Sequence, residues 1–438
     1  MSSQSARWIA TARLLRRCGF GATGPQIDAV ADQDWSAYLD HALGLDPDSD
    51  PGALATPRPM PITPDLPDDA AGDAEFRQFN RTLFDQMTEL TSWWVRRMAA
   101  VEEPIHEKLT LLWHNHFATS AQKVPAAEWM GHQNQKLRML SLGDFRSLAY
   151  AMLTDAAMLF WLDGVRNSAG AANENLSREF MELFTLGHGN GYTKHDVREG
   201  ARALTGWFIG RGGRADVAAT HRDTTLKTVM GVTGELDEAD FCDIVLGQPH
   251  SATFIAAKLW RMLASDNDPS TGTLDRLVAA FGPGRDLKSL TKAVLLDPDF
   301  AGCAGTVVNT PVEWLIGVVR ALKAPIDDPD LLDAIVVALT VMGQRPFYPP
   351  NVGGWPSGQA WLSTSSISAR AWAADKFTRS GDLSVVEQAA PSDRIDAAGY
   401  LVGIGRWSDR TAKALTPLVH DPRQLVAAAI NAPDYLTS

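Results

Sequence analysis

The chain has 438 residues, a formal net charge of −12, 45% hydrophobic and 21% charged residues. That is an ordinary soluble composition with ample material for a core. The acidic balance argues against nonspecific binding to nucleic acid or to an anionic membrane, both of which need a basic surface. No apolar run reaches the ~18–20 residues of a membrane span. The opening MSSQSARWIATARLLRRCGFG lacks the unbroken apolar stretch of a secretion signal and reads as an amphipathic helix, so the expected location is cytoplasmic. Cys18, Cys242 and Cys303 are too few and too scattered for a disulfide framework or a zinc site, and read as free thiols.

Helix signals dominate from the start. Thr23-Gly-Pro-Gln26 is a capping box with proline in the first turn, and Thr310-Pro-Val-Glu313 repeats it. Residues 44–72 hold seven Pro and six Asp with little periodicity, and read as a loop or disordered insertion in a single helical unit spanning 1–438. Phe76, Phe79, Leu83, Met87, Leu90, Trp94 and Met98 then recur at three- and four-residue steps, predicting a long amphipathic helix over about 73–100. Pro104 opens another helix, with Ile105, Leu109, Leu112 and Trp113 on one face. That helix carries His114-Asn115-His116. The contiguous His-Asn-His is not the nuclease arrangement, which spreads those residues over a ββα unit. On a helix, residues two apart point about 200° from each other, so His114 and His116 cannot easily share a metal. His116, on the apolar face, is either a core histidine or a ligand or base facing carboxylates elsewhere.

Asn173–Trp207 is the densest polar stretch, and such groups are costly to bury without partners. Glu174, Arg178 and Glu182 are spaced four apart, and Glu179 lies three before Glu182. Glu179 and Glu182 can therefore converge from one helix, as carboxylates do in di-metal bundles, although the Glu-x-x-His pairs of those bundles are missing. The structural alternative is Arg178 bridging Glu174 and Glu182 in a buried network. His188, in Leu186-Gly-His-Gly-Asn-Gly191, is placed either to reach a ligand or to cap the helix end as a cation. Thr193-Lys-His-Asp196 starts the next helix. A Gly- and Thr-rich region follows, in which residues 207–209 and 228–230 are expected to pair as a small β-hairpin within 207–231. The Pro/Gly segment near 350 offers Trp355 and Trp361 as flat walls for a sugar-like substrate, or as plugs in the core. Three segments echo one another: Asp144-Phe-Arg-Ser-Leu148, Asp286-Leu-Lys-Ser-Leu290 and Asp421-Pro-Arg-Gln-Leu425, each an Asp N-cap before a short amphipathic helix.

Five of these segments carry a resemblance. NENLSREFMELFTLG, Leu111–Ser120 (LLWHNHFATS), Leu153–Gly164 (LTDAAMLFWLDG), Phe347–Arg370 and Ala12–Gly21 (ARLLRRCGFG) occur in an order similar to that of the bacterial domain-of-unknown-function 1800 family. The resemblance implies a mostly helical bacterial protein with a sulfatase-like protein encoded nearby as a partner, and implies no particular reaction. The family pattern places a histidine directly before Asp223, where this chain has Arg222, with His221 displaced by one; Arg222, Asp223 and Lys227 are then expected as a salt-bridged lid.

The fold expected is all-α with a minor β-hairpin element near 207–231. The site expected is a Glu/His pocket for metal-assisted or acid–base hydrolysis. Its catalytic groups would be Glu179, Glu182, His116 and Arg178. A divalent metal would be held among His114, His116, Glu179, Glu182 and His188, and Trp355 and Trp361 would form the substrate wall. The alternative is a non-catalytic helical scaffold that binds a partner protein, in which the polar cluster only fixes packing.

Overall fold

The computed structural model describes residues 4–68, 71–303 and 307–437. The chain is mainly helical, with two small two-stranded antiparallel sheets. Among the described residues no helix is long and apolar enough to cross a membrane. The periodic stretch forms one helix, Asp73–Ala100, which buries Leu83, Met87, Leu90, Trp94 and Met98 along one stripe. The capping boxes form as the sequence predicts. Thr23 N–H donates to Gln26, Thr193 N–H to Asp196 and Thr310 N–H to Glu313, fixing where three helices begin.

Two large hydrophobic clusters make up most of the interior. One gathers Asp73–Ala100, Pro311–Ala321, Pro329–Val341, Thr364–Ser380 and the C-terminal helices. The other gathers Phe145–Leu153, the 175–186 region, Glu238–Leu246, Pro249–Leu263 and Leu287–Leu296. The helix Ile105–His116 runs between them, Leu111 joining the first cluster and Ile105, Leu109 and Trp113 the second.

Two of the three echoed segments meet. Asp144, Asp286 and Asp421 each cap their helix by accepting a backbone N–H. The first two caps also pair with each other, Phe145 N–H donating to Arg285 O and Leu287 N–H to Gly143 O, both at 2.9 Å. The echo thus has a physical use: it ties two helix starts back to back.

Residues 69 and 70 of the Pro/Asp-rich segment lie outside the described residues. The rest is irregular except for a short helix, Pro51–Ala55, and is pinned to the end of the long helix. Asp50 accepts N–H groups from Gly52, Ala53, Glu102 and Glu103. Gly52 sits so close to Ala100 that a Cβ there would lie 2.0 Å from its carbonyl oxygen. These caps and this close contact tie the first part of the segment to the end of the long helix. The expected pairing of 207–209 with 228–230 needs correction: Trp207–Ile209 pairs with Ala215–Val217, and Lys227–Val229 with Val232–Gly234. Each strand finds its partner across a local turn, at a lower closure cost than a longer loop would carry.

Candidate functional site

The helix that begins at Asn175 changes pitch. Asn175–Glu179 is α-helical, and Phe180–Thr185 widens to a π-turn in which Leu186 N–H donates to Met181 O. Such bulges are frequent at functional sites. Arg178 donates to Glu174 at 2.6 Å, with Arg198 also 3.6 Å from Glu174. Glu182 instead meets His188, Oε1 to Nδ1, at 2.5 Å. The buried Glu174–Arg178–Glu182 bridge is thus corrected on two counts. Arg178 reaches one carboxylate only, and its side chain is 39% exposed. Burial raises the Glu179 carboxyl, and the Glu182 charge raises it further.

The imidazoles lie elsewhere. His116 Nε2 is 3.0 Å from Phe184 O, among the rings of Trp113, Phe117, Phe145 and Phe184. Burial holds its pKa well below the usual imidazole value, and the Lys258 charge adds to that. His114 points to the other cluster, against Trp94, Phe347 and Trp355, and burial drives it to about 3. Both histidines are therefore neutral at pH 7. The structure does not bring His114, His116, Glu179, Glu182 and His188 to one point: Glu182 and His188 touch, while His114 and His116 each face a different core. Among the described residues no group of three or more His, Cys, Asp or Glu is placed to hold a metal ion. The expected lid also pairs differently. Asp223 is bound by Arg202 at 2.8 Å and Arg222 by Glu238 at 2.6 Å, while Lys227 donates to Thr225 O.

A different arrangement emerges on the Asn115 side of the helix. A cavity of about 290 Å³ is lined by Arg17, Asn115, Lys258, Asp266, Glu313, Trp355 and Trp361, among others. Three of the five resembling segments thus contribute to one wall. Asn115 organises it: its Oδ1 accepts the Trp355 backbone N–H at 2.7 Å. Gly354, with φ +86°, passes so close that a Cβ there would lie 2.3 Å from the same oxygen. Trp355 and Trp361 are only 4% and 2% exposed, and their indole N–H groups are buried without an acceptor. An unsatisfied buried donor costs roughly 1–3 kcal/mol, so these two indoles are a local cost in the wall of the cavity.

The charges around the cavity differ in kind. Glu313 would be raised by burial, but Lys108 and Arg17 outweigh that and hold it at about 2. Lys108 is ion-paired with it, and burial brings that amine down to about 8. Arg17 is anchored to Leu263 O at 2.7 Å and Met262 O at 2.8 Å. Lys258 has no such support. Among the described residues no carboxylate lies within ion-pair distance of it, and burial, aided by the Arg261 charge, lowers it to about 8. Asp266 is raised by burial, opposed by a hydrogen bond from the Val308 backbone.

Sequence reasoning found the Trp355 loop and the Asn115 helix but missed Lys258, Asp266 and Arg17. One signal was present: Ile255, Lys258 and Met262 stand at three- and four-residue spacing, a lone cation in an apolar stripe.

No curated protein and no solved structure matches the chain. A family model does. It is described as a protein of unknown function, DUF1800, and it matches residues 13–437, so the chain belongs to that family.

Proposed function

We propose that the chain is an acid–base hydrolytic enzyme for a small, oxygen-rich, carbohydrate-like molecule, with its centre in the Lys258 cavity and not at the Glu179–Glu182 pair. One observation carries this reading: a desolvated amine with no carboxylate partner among the described residues faces a cavity that Asp266, Asn115, Trp355 and Trp361 also line. An amine lowered to about 8 is partly neutral at physiological pH and takes up a proton readily. In its neutral form Lys258 accepts a proton from the attacking water, while Asp266, shifted toward its acid form, protonates the leaving oxygen. The Trp355 and Trp361 indoles and the Asn115 amide hold substrate oxygens. The volume is at the lower end for ligand pockets and suits a small molecule.

The test combines turnover with titration. Chromogenic glycosides and esters are offered to the wild type and to Lys258→Met, Asp266→Asn and Glu182→Gln, and ¹³C-methylated lysines are followed by NMR against pH. The reading expects two lysines titrating near 8, Lys108 and Lys258, of which one signal is absent in Lys258→Met, and turnover lost in the first two variants but kept in Glu182→Gln. An ordinary lysine titration at Lys258, with no hydrolysis in the wild type, would leave the scaffold reading in possession.

A further inference from the structure

A second cavity, of about 270 Å³, lies at the opposite end of the Ile105–His116 helix. His106 stands in the first turn and Asn115 in the last, about 14 Å apart at 1.5 Å per residue. This cavity is lined by Asp46, Asp50, Glu102, Glu103, His106 and Glu107, with His41 beside them. Two of the carboxylates are already satisfied. Asp50 is filled by four backbone N–H groups, and Glu107 by Arg97, Arg138 and Trp94. The others are not neutralised. Among the described residues Asp46, Glu102 and Glu103 make no ion pair. Asp46 accepts one backbone N–H from Asp48, and Glu103 a hydroxyl bond from Tyr38 at 3.4 Å. Arg320, the nearby cation, spends its donors on the carbonyls of Ala99 and Val101.

His106 supplies an independent observation. It is only 6% exposed, and its Nε2 is buried with no partner. Its ring is bound on the other side to the backbone of Ala42, and burial lowers its pKa. The ring is thus neutral, with its proton committed to the Ala42 carbonyl. Nε2 is left as a bare acceptor beside three carboxylates that make no ion pair among the described residues.

We propose that this cavity binds a small organic cation bearing ammonium groups, which donates to His106 Nε2 and to the carboxylates of Glu103 and Asp46. The polarity of the site selects the ligand. His106 Nε2 and the carboxylates of Asp46, Glu102 and Glu103 are acceptors and outnumber the one imidazole donor that His41 brings, so the guest must bring donors and positive charge. A bare metal ion fits less well, because direct ligands must converge within about 2.0–2.6 Å and no three of these groups do so. Ammonium hydrogen bonds, at about 2.7–2.9 Å, are longer and need no convergence on a single point, so they tolerate the wider spacing.

The probe is 1,4-diaminobutane, titrated into the full-length protein at physiological ionic strength and followed by calorimetry and by the His106 ring signals in NMR. Magnesium and tetramethylammonium, which has no donors, serve as comparisons. The expected result is saturable binding that moves the His106 Nε2 resonance, is not reproduced by tetramethylammonium, and weakens at least about tenfold in the Glu102→Gln/Glu103→Gln double variant. Glu102 is exposed, so Glu102→Gln alone retains the fold and checks the direction. The proposal is overturned if the ring signals stay fixed at millimolar diamine. It is equally overturned if magnesium gives the same perturbation, or if the double variant binds as the wild type does.

Discussion

Glu107 is a buried charge and Lys258 a half-buried one, and they are treated in opposite ways. Glu107 is 1% exposed and saturated. Arg97 Nε and Arg138 Nε each lie 2.6 Å from Oε1, and Arg138 Nη2 and Trp94 Nε1 lie 2.8 and 2.9 Å from Oε2. Burial alone would raise this carboxyl, but the two guanidinium groups dominate and hold it at about 2. Among the described residues Lys258 has no ion pair; it faces a cavity and is pushed down to about 8. Full satisfaction fixes helices in place, whereas an uncompensated charge beside open volume is a group held ready for something not yet bound. Sorting buried charges by whether their partners come from the protein separates architecture from chemistry here better than residue type does. His116 stands out in the sequence and is packed among aromatic rings with Nε2 against the Phe184 carbonyl, while Lys258 looks unremarkable and, among the described residues, has no carboxylate partner.

The largest effect is expected at the satisfied end. Glu107→Gln leaves Arg97 and Arg138 facing each other in the core without their shared anion. It is expected to cost about 3–5 kcal/mol in urea unfolding. A loss below about 1 kcal/mol would show that the two arginines find other partners, and the contrast with Lys258 would collapse. The same pairing sets the acid limit. Glu107 and Glu313 both sit at about 2 in the folded chain, against about 4.3 for a free glutamate. Their folded values are depressed, so their contribution is complete above about pH 4.3 and is lost as pH falls toward 2. Circular dichroism against pH is expected to show unfolding in that window, and Glu107→Gln to flatten the slope there.

What the sequence made legible, and what it did not, divides by range. The long helix is written in Phe76 to Met98 because its partners repeat every turn, and the Thr and Asp caps are written three residues from what they hold. The opposed directions of His114 and His116 follow from helix geometry alone. The partner of His116, a carbonyl freed near the π-turn at Phe184, depends on two segments 68 residues apart and leaves no local trace. The Lys258 cavity is less legible still. It needs Arg17, Asn115, Lys258, Glu313 and Trp355 to arrive from five separate elements, and no spacing encodes that meeting. The Glu179–Glu182 pair shows the converse: its helical spacing is local and legible, while the wider turn and the glycines after it, which set Glu182 against His188 near the surface, are not.

A middle effect is expected at Lys258, with the opposite sign. Lys258→Met replaces a desolvated amine with an apolar chain of similar length and is expected to stabilise the fold by about 1–2 kcal/mol at pH 7. The sign follows from the lowered folded value. Between about 8 and the free lysine value near 10.4, the unfolded chain binds more protons than the folded one, so wild-type stability rises with pH across that interval. The advantage of the variant is therefore greatest below pH 8 and shrinks toward pH 10. A constant advantage would mean that the change improves packing and that the amine was never penalised.

The smallest effect is expected where the sequence drew most attention. His188 is 85% exposed and its bond to Glu182 is open to solvent. Ion pairs of that kind contribute roughly 0–1 kcal/mol and are screened by salt. His188→Ala is expected to change stability by less than about 0.5 kcal/mol, with any difference disappearing at high ionic strength. Glu182→Gln, which keeps a hydrogen-bonding oxygen beside the ring, is expected to do less. Should His188→Ala instead cost several kcal/mol, the loop from Gly187 to Gly191 would be anchoring the π-turn, and with it the Phe184 carbonyl that holds His116. The polar stretch would then belong with Glu107 as architecture, and Lys258 would stand alone on the other side of the comparison.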